Sequence, residues 1–381
     1  MDKLSFDDIR IDRPELAASY AALLRGQPGR PLALFAPRQV GKTHFLDHDL
    51  APLARAQGLA PVYADLWLQQ AAPLDAINHA LEEALDDANV PASALGKIGR
   101  TAVKKIGAAS VSIDLGDAPM RRALPTRPEL RLDALVTRVA AASGKPVLLM
   151  LDEVQTLGES KDGALVAAAL RAVLHKRREQ VMAVLTGSSQ SGLAQVFTTA
   201  GAPMYQFAQL VTFPVLGDAY LKKLSDRFHQ VHRKRPLLDD LRRMFASIGH
   251  KPALMKDLVK TMSGEGLTDV DRGLALFLRD ERHVAGWRAL LGALEPIDRA
   301  VLGLIARGAP PLGAESLAEL GQRLGAPVTL GKVRASIERL RRAALLDKHA
   351  DQRLRIDDQM LQAYVLALGK TPTTNAGAPG S

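Results

Sequence analysis

The chain contains no cysteine. Disulfides and thiolate-ligated metal sites are therefore excluded, and the composition fits a reducing compartment, so a cytoplasmic location is expected. Aromatic residues make up only 4% of the sequence, so any core must be built mainly from Leu, Ala and Val. No apolar run reaches the length of a membrane span; the longest, Pro-Val-Leu-Leu-Met-Leu at 146–151, suffices for one strand. The opening residues MDKLSFDDIR carry three aspartates and no apolar stretch, unlike a secretory signal. No membrane contact is expected.

What is present is a chain of 381 residues with a net charge of +9, long enough for two or three domains. The charge permits a polyanionic partner without requiring one. Up to Pro214, apolar strands alternate with amphipathic helices. Strands are expected at 31–36, 60–69, about 145–153, 180–189 and within 202–213, and helices near 43–56, 72–89, 127–143 and 163–178. Strands that read as continuous apolar runs between helices predict a parallel sheet covered on both faces. Residues 93–126 interrupt the rhythm with Gly, Ala and six basic residues between Lys97 and Arg122. They read as an insertion over the sheet edge, or else as a basic element touching a membrane or nucleic acid. After Pro214 only helices are expected, at 217–234, 237–247, 252–263 and 269–293. Then come three helices and two short extended pieces, the order of a winged helix-turn-helix. Residues 370–381 are too polar and too rich in Pro and Gly to pack. The expected domains are 1–214, 215–293 and 294–369.

Two motifs carry chemistry. The first is Ala36-Pro37-Arg38-Gln39-Val40-Gly41-Lys42-Thr43, which has the spacing of a phosphate-binding loop except that Ala36 replaces its first glycine. The backbone N–H groups of Gln39, Val40, Gly41, Lys42 and Thr43, with His44 on the helix that follows, would form an anion-binding nest. Gly41 permits close approach, Lys42 reaches the β- and γ-phosphates, and the Thr43 hydroxyl suits Mg²⁺. Pro37 biases Ala36 towards the extended backbone of a strand's last residue, so alanine is tolerated there. The second motif is Val-Leu-Leu-Met-Leu-Asp152-Glu153-Val, which delivers two acids to the carboxyl end of a buried strand. Asp152 suits the Mg²⁺ shell, and Glu153 suits the activation of a water against the γ-phosphate. A whole strand lies between the two motifs, which points to the additional-strand class of P-loop ATPases. The polar cluster Thr186, Ser188, Ser189, Gln190 either senses the γ-phosphate or merely caps the next helix.

These residues, with Leu-Thr-Gly-Ser-Ser at 185–189 and Gly-His-Lys-Pro-Ala-Leu-Met at 249–255, resemble the archaeal-type ATPases. These are P-loop proteins related to AAA+ and STAND ATPases, many with a C-terminal winged helix. The resemblance spans about residues 10–365. It implies an α/β core, a helical lid, and nucleotide at their junction, with Pro252 as a contact to base or sugar. Here His250 stands where the family has a second glycine. One absence is informative: Gly187–Tyr220 contains no Lys or Arg, where ring-forming AAA+ ATPases usually carry an arginine finger. The charge must come from elsewhere, such as the lid, or turnover must be slow.

Ten basic residues against three Asp lie between Lys222 and Lys256, with Lys251 or Lys256 able to reach a triphosphate. Lys332, Arg334, Arg339, Arg341 and Arg342 on the third C-terminal helix, with Lys348, Arg353 and Arg355, would suit a DNA backbone. A protein partner is the alternative, and the oligomeric state is left open. The sequence thus reads as a Mg²⁺-dependent ATPase binding ATP, with a winged helix that engages DNA or a protein. A DNA-binding regulator holding ATP as a structural ligand is the second reading.

Overall fold

The computed structural model describes residues 5–89, 123–188, 190–343, 345–348 and 353–370. The basic stretch from Lys97 to Arg122, Ser189 and the tail from 371 onward lie outside them. The chain divides into two compact units, Ile11–Val215, and Met1–Arg10 with Leu216–Ser381.

The first unit is built on five parallel strands, β1 (Leu32–Phe35), β2 (Ala60–Asp65), β3 (Val147–Asp152), β4 (Val181–Gly187) and β5 (Gln209–Thr212), in the order β2-β3-β4-β1-β5. β3 is buried at every position because both faces of the sheet are covered. Val147, Leu149 and Leu151 enter one apolar cluster; Leu148 and Met150 enter the other. This is the period-2 alternation of a strand. The inserted strand β4 separates β1 from β3, as the additional-strand expectation requires. Register aligns the carboxyl ends, with Phe35 opposite Gly187 and Asp65 opposite Asp152.

Two boundaries differ from the sequence expectation. The strand predicted to run to residue 69 ends at Asp65, whose carboxylate accepts from Trp67 N at 2.8 Å and caps a 3₁₀ turn over Leu66–Gln69. The helix after the phosphate loop comprises Lys42–Phe45, a π turn Leu46–Leu50 and Ala51–Ala56. Pro52 cannot donate to the backbone ladder, and the wider turn lies just before it.

The second unit carries helices Asp218–His232, Leu238–Ser247, Pro252–Gly264, Val270–Phe277 and Glu281–Ala293. The single helix expected over 269–293 is two. Asp280 supplies a new N-cap, accepting from Arg282 N at 2.9 Å, so the chain breaks at Leu278–Asp280. Helices Pro296–Ala306, Ala314–Leu324 and Leu330–Arg342 follow, then an antiparallel hairpin of β6 (Leu346–Lys348) and β7 (Leu354–Ile356). A last helix, Gln359–Lys370, was not expected from the sequence. Val284 and Leu291 share an apolar cluster with Val301, Ile305, Leu340 and Tyr364, so the helix Glu281–Ala293 packs with this C-terminal group.

Candidate nucleotide-binding site

The loop between β1 and its helix needs two left-handed residues, Gln39 (φ 65°) and Gly41 (φ 95°). At Gly41 a Cβ would stand 3.7 Å from Arg13 Nη2 and meet nothing nearer. The conformation rather than crowding favours glycine there. Gly41 N-caps the helix and Phe45 N closes the first turn on Gly41 O at 3.0 Å, which leaves the earlier loop N–H groups at a helix start.

Lys42 is 5% exposed, and its Nζ donates to Ala36 O (2.7 Å) and Pro37 O (2.9 Å). It has no ion pair among the described residues. Burial pulls its pKa down, the charges of Glu153 and Asp152 oppose that, and Arg38 adds to it. Ala36 therefore has a use beyond closing the turn, because its carbonyl holds the lysine.

Asp152 is the hub of the site. Its Oδ2 accepts from the Thr43 hydroxyl at 2.6 Å and from Tyr63 OH at 3.2 Å. Its Oδ1 accepts from the Thr186 hydroxyl and from Glu153 N, the latter at 3.0 Å. Glu153 follows in a left-handed conformation, φ 57°, that turns the chain off the strand. Its Oε2 accepts from Ser188 Oγ at 2.6 Å and from Gln155 Nε2. Gln155 is buried and also donates to Ser188 Oγ (3.2 Å), while Ser188 N donates to Gln155 Oε1 (3.2 Å). Burial first, and then the Asp152 charge, raises the Tyr63 phenol; burial likewise raises Asp65.

The fold thus brings Ala36, Gln39, Val40, Gly41, Lys42, Thr43, Asp152, Glu153 and Ser188 to one end of the sheet. His44 lies on the helix and stacks on His48 at 4.1 Å rather than joining the acids. Ser188 and Thr186 both point to the acids, whereas Gln190 opens the helix Gln190–Phe197. Sequence reasoning missed Tyr63, Gln155, Arg38 and Arg13. Arg13 stacks over Phe213 at 4.7 Å and donates to Pro214 O at 2.6 Å. Only strand pairing could have found Tyr63, which lies in β2 opposite Met150.

A buried ammonium held only by carbonyl oxygens, beside a glycine turn at a helix start, fits a polyphosphate. Thr43 and Asp152 fit Mg²⁺, which takes one or two protein oxygens and leaves the rest to phosphate and water. Among the described residues there is no cluster of three or more His, Cys, Asp or Glu that would indicate another metal site.

Pro252 belongs to the second unit, where it opens the helix Pro252–Gly264 and its carbonyl accepts from Tyr220 OH at 2.6 Å. Of the two lysines expected to reach a triphosphate, Lys251 is buried and pairs with Asp358 at 3.3 Å, and Lys256 lies 3.9 Å from Asp7. On the third C-terminal helix, Arg339 is committed to Asp298 (2.7 and 3.0 Å) and Glu295, and Arg341 pairs with Glu338. Lys332 and Arg334 are exposed on that helix, with no side-chain partner among the described residues. The Lys348 side chain lies outside the description. Among the described residues no helix is long and apolar enough to cross a membrane.

The β2-β3-β4-β1-β5 sheet, the loop ending in Lys42-Thr43 and the acids at the end of β3 define the fold as that of a P-loop NTPase. It is similar to the Walker-type ATPase of Pyrococcus abyssi, with a TM-score of 0.60 and 16% identity over 95% of this chain and 100% of that one. It is also similar to the Aeropyrum pernix ORC2 protein, both in its ADP form (TM-score 0.51, 15% identity, 97% of this chain and 98% of that one) and in its ADPNP–ADP complexes (0.50, 15%, 96% and 98%). At these identities the likeness is one of fold. No family model and no curated protein matches the sequence.

Proposed function

We propose that this protein binds ATP with Mg²⁺ at the loop Ala36–Thr43 and hydrolyses it slowly to ADP and phosphate. The nucleotide state is coupled through a lid, the helices after Pro214, to a C-terminal winged helix-turn-helix that engages DNA or a protein. The observation that carries the reading is the Thr43–Asp152 hydrogen bond at 2.6 Å, which joins the loop to the acidic strand across the inserted β4. Mg²⁺, when bound with ATP, offsets the charge of the β- and γ-phosphates. Lys42 exchanges its two carbonyl partners for phosphate oxygens, a charge-assisted bond in place of neutral ones. Thr43 and Asp152 turn their oxygens towards the ion, and Glu153 takes the proton of the attacking water. ATP titration and phosphate release measured on the wild type and on Glu153→Gln test this. The variant is expected to bind ATP and to release no phosphate, and unchanged release would remove Glu153 as the base.

The second reading, ATP as a structural ligand of a DNA-binding regulator, is favoured by one observation. The Glu153 carboxylate is held by both Ser188 and Gln155. Gel-shift titration with and without ATP separates the readings. DNA binding that ignores nucleotide supports the second, and no DNA binding at all points to a protein partner of the winged helix.

A further inference from the structure

The arginine-free stretch Gly187–Tyr220 leaves open which cation meets the γ-phosphate. Three cations of the first unit lie at the loop. Lys42 is buried on its carbonyls. Arg13 is fixed between Phe213 and Pro214 O. Arg38 is different, because it is exposed and its guanidinium carbon lies over the Trp67 ring, 4.5 Å from the centroid. Its one hydrogen bond among the described residues is a long one, Nε to Ser188 Oγ at 3.4 Å. That same hydroxyl donates to Glu153 Oε2, so a single oxygen separates the guanidinium from the acid assigned as base. The Arg38 charge is also felt at the Lys42 ammonium, whose proton affinity it lowers.

We propose that Arg38 is the catalytic cation of this site, supplied in cis by the phosphate loop itself, with Trp67 as the platform that holds it ready. The inference rests on the ATPase reading above. In the reaction, the water oxygen bonds to the γ-phosphorus, its proton passes to Glu153, and the bond from phosphorus to the β–γ bridging oxygen breaks. The electron pair stays on that oxygen of ADP. Arg38 transfers nothing. It leaves Ser188 and donates N–H groups to the equatorial oxygens, where charge builds up. Among the described residues the guanidinium over the ring keeps most of its donors uncommitted, and its planar fork matches phosphate oxygens. A loose bond to Ser188 is easily exchanged. Moving Arg38 also removes one neighbour from the hydroxyl that restrains Glu153.

The test is single-site kinetics on the full chain. Arg38→Ala is expected to lower turnover at saturating ATP by about 100-fold or more, with the Kd for ADP within about 3-fold of wild type. Arg38→Lys restores part of the turnover, because a point charge replaces the fork. Binding of ADP with a metal fluoride, which mimics the transferring phosphoryl group, falls in parallel with turnover. The chain has only two tryptophans, Trp67 and Trp287, so a Trp287→Phe background isolates the platform. In that background the metal-fluoride complex changes Trp67 emission, and Arg38→Ala abolishes the change. Turnover per molecule stays constant as protein concentration rises. Three results overturn the inference: normal turnover in Arg38→Ala, an equal loss of ADP affinity, or turnover per molecule that climbs with protein concentration. A wild type without turnover overturns the ATPase reading and this inference with it. An active wild type with a silent Glu153→Gln and a normal Arg38→Ala overturns the inference alone.

Discussion

Two turns in this chain are built alike and do different things. The phosphate loop places Gln39 (φ 65°) and Gly41 (φ 95°) before a helix that begins with Lys42; the turn before Pro252 places Gly249 (φ 71°) and His250 (φ 54°) before Lys251. Each carries a lysine that is almost fully buried, 5% exposed at Lys42 and 4% at Lys251. The partners separate them. Lys42 rests on two neutral carbonyls, whereas Lys251 meets the Asp358 carboxylate at 3.3 Å. Asp358 in turn accepts from Trp287 Nε1 (3.3 Å) and caps the last helix through Met360 N (2.9 Å). A buried cation without a direct ion pair is poised to exchange partners; one in an ion pair is structural. The local backbone pattern does not decide between these roles, and the partner does.

The comparison is broken most severely by removing each lysine in turn. Lys42→Ala should weaken ATP binding by about 100-fold or more, because the loop loses the buried ammonium that meets the β- and γ-phosphates. Lys251→Ala should leave ATP affinity within about 3-fold while lowering stability by about 1–3 kcal/mol, since Asp358 loses its partner. Calorimetric titration and denaturant unfolding measure the two effects. A Lys251→Ala variant that fails to bind ATP would make the two turns equivalent and end the distinction. The Asp358→Ala double-mutant cycle sharpens it, with a coupling of about 1 kcal/mol expected for a pair whose acid is 37% exposed.

Much of this was legible. Lys42, Thr43, Asp152 and Glu153 stand out because the chemistry expected of them depends on local spacing, and β1, β3 and β4 carry their own apolar runs. What was hidden depends on pairing between distant segments. Tyr63 and Thr186 reach Asp152 from β2 and β4, and neither strand's own pattern says which strand will flank it. Arg339 looked like a phosphate contact, yet it is bound to the buried Asp298. Charge is readable in sequence and partnership is not. The Leu278–Asp280 break could have been read, since Asp280 precedes an acidic first turn as an N-cap should.

A smaller effect separates the units by pH. In the first unit Asp133 is held down to about 2, first by the Arg177 hydrogen bonds at 2.8 and 3.0 Å and then by Lys176. Its ordinary value lies near 3.8, so the folded pKa is depressed. The stability it contributes is complete above about pH 4 and is lost as pH falls towards about 2. At neutral pH Asp133→Asn should cost about 1–2 kcal/mol, and the variant should lose less stability than wild type between pH 4 and 2. Equal acid sensitivity in both proteins would show that the pair contributes nothing. Lys42→Ala, in contrast, should leave this pH profile unchanged.

The smallest expected effect lies at His250, which occupies a left-handed conformation without being glycine. Such a residue costs roughly 1 kcal/mol in backbone strain. Two contacts hold it there: its N–H donates to Phe245 O at 2.8 Å, and its ring meets the Phe245 ring edge-on at 5.1 Å. His250→Gly removes the strain and keeps the backbone bond, but it loses the ring contact and loosens the unfolded chain, each worth roughly 0.5–1 kcal/mol. The terms largely offset one another, so stability should fall by no more than about 1 kcal/mol. His250→Val keeps the strain, adds a branched Cβ to it and loses the ring contact, and should cost about 2 kcal/mol. Neighbouring Gly249 is the contrasting case, because a Cβ there would stand 2.5 Å from Gln359 Oε1, so Gly249→Ala carries a steric cost as well. If Gly at 250 stabilised the protein by more than 1 kcal/mol, the Phe245 contact would carry no weight. The turn would then be held by Lys251, Asp358 and the backbone bond to Phe245 O.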